Sequence, residues 1–343
     1  MTIAKQLPLF ALITLGFALG VTSAAQTQPL RLVQTIPLPA VNGRIDHMDV
    51  DIKGQRLFVA GLENGSMEVV DLRAGKSLRS VPGFKKPQGI AFVAALNKIF
   101  VASGDDGKLR VFRADTLDLL DTIDLDIGPN RVLYDPRHAL LYVGYGGKDA
   151  GKDYGEVGII DAKKDKKIAD VKVAAHPAEL LFDKSGKRLF CFVSTASKIQ
   201  VIDVKKRKVI FTWPVSSERP GDGAFDAAGN RLILGTRKPP QMIAMDKDTG
   251  REVANLPTVD GMDGVYFDAQ RRRVYISGGR DAETGFVYTY QQKDPDHYEL
   301  IDQMPTRQGA GTSLWVPQLN RFYVGVPARA GAEAEILVFE AQP

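Results

Sequence analysis

Asp46, Gln88, Asn130 and Asp263 each stand four residues ahead of a nine-residue phrase that recurs along the chain, and His47, Arg131, Glu179 and Asp222 each stand three ahead of it. His176 stands six ahead, as do Arg44 and Arg219, while Arg237 closes an apolar run just before Lys238-Pro239-Pro240. Carboxylates, amides, histidines and arginines brought to one place suit two chemistries. Arginines with Asp and Asn hold and orient a small anionic or polyhydroxylated ligand. Alternatively, Glu179, Asn130, Asp222 and Asp263 offer oxygen ligands to a hard divalent cation that polarises a carbonyl, as a lactonase or lyase would require. A polar funnel filled by ordered water is the third reading. His47 beside Asp46 reads as a base oriented by a carboxylate. Neighbouring residues of an extended strand point to opposite faces, however, which should keep those two apart. No GxSxG elbow, glycine-rich phosphate loop or HExxH helix is present, so no cofactor and no resident metal are assigned.

The phrase itself dictates what positions these residues. Its copies begin at Val50, Phe92, Tyr134, Phe182, Phe225, Phe267 and Trp315, giving successive spacings of 42, 42, 48, 43, 42 and 48 residues. A period in the forties filled with short alternating strands signals a radially repeated sheet. The fold class expected is therefore all-β, a seven-bladed β-propeller of four-stranded antiparallel blades. In the fourth repeat the expected strands are 178–182, 188–194, 199–204 and 209–215, lettered A to D from the axis outward. The seventh repeat stops after its third strand, while LRLVQTIPL from Leu30 reads as a fourth strand without a blade. Placing that N-terminal strand on the last blade closes the ring and covers an exposed edge. The starts of the A strands should then ring one mouth of the central channel. Insertions from Gly146 and Gly278 lengthen two B–C loops and should reach the same mouth, bringing Lys148 and Arg280 with them.

Residues 1–25 carry Lys5, an apolar stretch from Leu7 to Val21 and small residues at Ser23-Ala24-Ala25, the pattern of a signal peptide. The expected organisation is a leader over 1–25 and one propeller domain over 26–343, periplasmic or secreted, with no membrane span after the leader. Cys191 is the single cysteine, so no internal disulfide forms, and its apolar surroundings make it a core residue. Trp213 and Trp315 read as blade-packing residues. A formal charge of +4 demands neither nucleic acid nor an anionic membrane as partner. A monomer with a small polar ligand or a protein partner at the channel face is expected.

LYVGYGG from Leu141, FVASGDDG from Phe100 and VYISGG from Val274, each followed by a VxVID-like strand, carry a family likeness. On these motifs the chain resembles the YVTN-type β-propellers, most closely their exported YncE-like branch, over roughly Leu30 to Phe339. The resemblance implies a periplasmic propeller without an assigned reaction, in a group where single-stranded DNA binding occurs. No groove of interleaved aromatic and basic residues supports nucleic-acid binding here.

Overall fold

The computed structural model describes residues 1–2, 28–280, 282–329 and 331–343. The leader read from the sequence lies, apart from its first two residues, outside the described residues. No helix among the described residues is long and apolar enough to cross a membrane.

Seven separate four-stranded antiparallel sheets stand in a ring, each built from consecutive strands except the last. The fourth blade runs Pro177–Phe182, Arg188–Val193, Lys198–Asp203 and Lys208–Pro214, within a residue of the sequence expectation at every boundary. In the seventh sheet, strand Leu30–Leu38 pairs antiparallel with Ala334–Ala341, and Gln342 N–H donates to the Pro29 carbonyl at 2.8 Å. The ring closes as the unpaired first strand required. The two outermost strands of every blade carry a register shift between them, such as Val201/Ile202 in the fourth. Each bulge adds right-handed twist where the blade leaves the axis.

The recurring phrase makes the turn between the two inner strands, in two ways. In five copies an aspartate follows the leading residue, and all five are buried: Asp51, Asp135, Asp183, Asp226 and Asp268. Their carboxylates accept turn N–H groups, as Asp226 does from Ala228 at 3.0 Å and Gly229 at 2.9 Å. Buried carboxylates satisfied by backbone donors fix a turn that propensity alone leaves loose. Where the aspartate is replaced by Val93 or Val316, a single 3₁₀ turn takes over and ends on a left-handed asparagine, Asn97 or Asn320.

Apolar burial falls into seven clusters, and each joins two neighbouring blades rather than one blade to the axis. Phe190, Trp213, Leu234 and Ile243, for instance, knit the fourth blade to the fifth. Trp315 packs likewise between the sixth and seventh, and Cys191 is fully buried in the seam between the third and fourth. With the hydrophobic area spent in the seams, the axis is left to polar side chains.

Candidate functional site

One end of the axis opens into a cavity of about 320 Å³, walled by residues from six of the seven blades. Eight of the ten site residues read from the sequence line it: Asp46, His47, Gln88, Asn130, His176, Asp222, Arg237 and Asp263. Arg44, Arg219, Arg280 and Lys148 join them, the last two from the inserted B–C loops. Arg131 and Glu179 do not reach the wall. They lie beneath it, with Glu179 only 1% exposed. Lys86, Asp149, Ser194 and Thr195 complete the polar wall. Lys86 was legible, because it occupies the same six-ahead register as Arg44, His176 and Arg219. Asp149 follows Lys148 in an insertion of no fixed register and carried no such signal.

The six-ahead register has a backbone peculiarity. Lys86, His176 and Arg219 there have φ of 62°, 55° and 59°, and Gly128, Gly261 and Gly309 fill the same position at 85°, 58° and 85°. In six of the seven blades the chain turns left-handed here to enter the innermost strand, and in the first the turn falls one residue earlier, at Gly43 with φ of 70°; only glycine adopts this conformation freely. Three blades nevertheless keep a long polar side chain at that point, and all three side chains reach the cavity.

Electrostatically the wall has two halves. On the side of blades five, six and one, Asp263 is shared among three guanidiniums: Arg44 at 3.1 Å, Arg280 at 3.4 Å, and Arg237. Arg44 also bonds Asp46 at 2.9 Å, and His47 Nδ1 stands 2.6 Å from the other Asp46 oxygen. Burial works to raise Asp46, but Arg44 and His47 overcome it and hold the carboxyl well below its usual range. The meeting of Asp46 and His47 corrects the expectation that they point apart. The innermost strand begins only at Met48, so strand alternation does not apply to them. On the opposite side, blades two to five present Lys86, Lys148, His176 and Arg219. Among the described residues Lys148 and Arg219 have no ion pair, and Lys86 has one exposed partner, Asp105, at 3.4 Å. Burial, against a pull from Asp149, keeps His176 below the usual histidine range, and Lys86, Arg237 and Arg219 push the same way.

Beneath the wall lies a second polar layer. Arg131 Nε stands 2.9 Å from Glu179. Burial first, and the Glu179 carboxylate second, raise Asp222 well above the usual carboxyl range, and burial also raises Glu179 against the pull of Arg131. Glu179 Oε2 is buried without a hydrogen-bond partner in the protein. Asp222 accepts in turn from Gly223 N–H and from Val265 N–H, at 2.6 and 3.0 Å, linking two blades. Asp49 links the first blade to the second by accepting Phe92 N–H at 2.7 Å, and burial raises it to about 6. Tyr266, raised by burial and by Asp222, donates to the Ser313 carbonyl at 2.5 Å. Sequence reasoning passed over Asp49 and Tyr266. Both stand one residue ahead of the phrase, where the other five copies have Ala or Leu, and that contrast was the available signal.

The carboxylates proposed for a divalent cation are thus otherwise engaged. Asp263 faces three arginines, Glu179 faces one, and both Asp222 oxygens accept backbone N–H groups, so few free anionic oxygens remain for a cation.

No family model matches the chain. Antigen Lp49 of Leptospira interrogans serogroup Icterohaemorrhagiae serovar copenhageni (strain Fiocruz L1-130) is 26% identical over 242 residues, which are 66% of this chain and 51% of that protein. The chain therefore spans about half the length of the curated relative it matches. Among solved structures, Kuenenia stuttgartiensis hydrazine synthase superposes with a TM-score of 0.73 at 16% identity, covering 95% of this chain and 99% of that one. That likeness shows a propeller fold and nothing of its chemistry.

Proposed function

We propose that this chain is an exported binding propeller of the YVTN-type, YncE-like kind, periplasmic or secreted and monomeric, whose axial cavity takes a small polar ligand. The propeller fold suits binding or scaffolding in general. The observation that supports a specific site is the concave polar wall itself, to which six blades contribute side chains. Its size, about 320 Å³, lies at the small end of ligand pockets. Asp46, His47, Gln88, Asn130, His176, Asp222, Arg237 and Asp263 contact the ligand, and Arg131 and Glu179 act from below by fixing Asp222. Single-stranded nucleic acid is a poorer occupant, since none of the described residues lining the cavity is a Phe, Tyr or Trp on which a base could stack. A metal-dependent hydrolase or lyase is disfavoured by the arginines that already hold Asp263 and Glu179.

The test is a thermal-shift and calorimetric screen of the full chain against small sugars, polyols, organic acids and phosphates, with calcium, zinc and a single-stranded oligonucleotide alongside. A small polar compound should raise the melting temperature, and Asn130→Ala with Gln88→Ala should abolish the effect. Stoichiometric calcium or zinc that is lost on Asp263→Ala would replace this reading with the metal-dependent one.

A further inference from the structure

Resting on that reading, the two halves of the wall narrow the ligand class. A compensated half and an uncompensated half face each other across one small cavity. Arg44, Arg237 and Arg280 are bound to Asp46 and Asp263 and have little charge to offer. Opposite them, Lys148 and Arg219 have no carboxylate within ion-pair distance among the described residues, and Lys86 holds only an exposed one. Among the described residues Asp149 and the exposed Asp105 are the acids near this arc, and Lys86, Lys148 and Arg219 outnumber them, leaving it net positive. Lys86, His176 and Arg219 also occupy a left-handed position that three other blades fill with glycine. Side chains kept against the backbone's preference, and turned into a cavity, mark a working site rather than a packing need. At the cavity floor, Asn130 Oδ1 is a buried acceptor with no hydrogen bond within the protein, and Asp222 also lines the cavity. A ligand hydroxyl satisfies the asparagine.

We infer that the cavity binds a hydroxylated small organic anion, its carboxylate or phosphate against the arc of Lys86, Lys148, His176 and Arg219 and its hydroxyls toward Asn130 and Asp222. Lys148 and Arg219, cations without internal partners among the described residues, and Lys86, with only an exposed one, give charge-assisted hydrogen bonds to such a group at little cost in broken ion pairs, while His176 offers a ring N–H. The uncharged amide of Asn130 does not repel it.

The experiment compares two anions with their neutral congeners on the full chain by calorimetry: gluconate with glucose, and glycerol 3-phosphate with glycerol. At least one anion should bind at least about tenfold more tightly than its neutral congener, and its affinity should fall with added salt. Whether gluconate or glycerol 3-phosphate wins decides between carboxylate and phosphate. Arg219→Ala combined with Lys148→Ala should weaken that anion by about tenfold or more while leaving the melting temperature unchanged. Two outcomes overturn the inference: neutral congeners binding as tightly as the anions, or anion affinity indifferent to the double substitution. In either case, a neutral ligand lost on Asn130→Ala would leave the polar-site reading standing. If none of the four compounds binds and the wider screen is silent, both fall together.

Discussion

The two sides of the axial cavity use the same residue types to opposite ends. On the side of blades five, six and one, arginines and carboxylates neutralise one another, and Asp263 binds three guanidiniums at once. On the side of blades two to five, lysine, histidine and arginine stand with almost no internal partner. The first side is a structural brace, because removing any member strands charges in a partly dehydrated place. The second contributes little to folding and is free to bind. Residue identity alone does not tell a site from a brace; the partner list does.

The harshest test of that contrast is Asp263→Ala. It strips three arginines of their shared carboxylate and should cost about 4 kcal/mol in urea unfolding, whereas the combined Arg219→Ala and Lys148→Ala change should stay within about 0.5 kcal/mol. Equal losses would erase the distinction.

The layer below sharpens it in depth. Asp49 is raised from 3.8 to about 6, so the folded chain holds this proton more tightly than the unfolded chain does. Its contribution to stability is complete below pH 3.8 and is lost as pH rises toward 6. The wild type should lose up to about 3 kcal/mol between pH 4 and pH 8 from this group. Asp49→Asn should flatten that part of the profile, measured by urea unfolding at both values.

In the same layer, Glu179→Gln removes the countercharge of Arg131 and should cost about 2 kcal/mol. Asp222→Asn keeps an oxygen acceptor where the carboxyl is already raised well above its usual range, and should cost less, about 1 kcal/mol. Reversal of that order would make Asp222, not Glu179, the member on which this layer depends. The smallest effect is a gain. Arg219→Gly relieves a left-handed residue and should raise stability by about 0.5 kcal/mol, while weakening ligand binding. A loss of stability instead would mean that Arg219 belongs to the brace.

The propeller was legible because its period is carried by a turn phrase repeated seven times, even where valine replaces the aspartate and a 3₁₀ turn ending on asparagine takes over in the second and seventh blades. The cavity was partly legible, because a fixed offset from the phrase fixes height along the axis. Depth was not. Arg131 and Glu179 share the three-ahead offset with His47 and Asp222, yet only the latter two reach the wall. What separates them is packing by neighbouring blades, set by residues such as Gly89, where an added Cβ would collide with the Asn130 carbonyl oxygen. A period along the chain contains no such lateral information. The charge balance of the two halves was equally hidden, since Asp263 meets Arg44 across 219 residues.

The seam formed by Leu30–Leu38 and Ala334–Ala341 has a temporal meaning as well as a spatial one. During synthesis Leu30–Leu38 emerges long before its mate, and an open arc of six blades keeps a bare edge until Ala334–Ala341 leaves the ribosome. That edge invites a foreign strand, so a chaperone that keeps the arc unfolded until that strand is made would protect it. Joining the ends of this seam and cutting between two other blades should shift the vulnerable interval elsewhere along the chain without altering the finished ring.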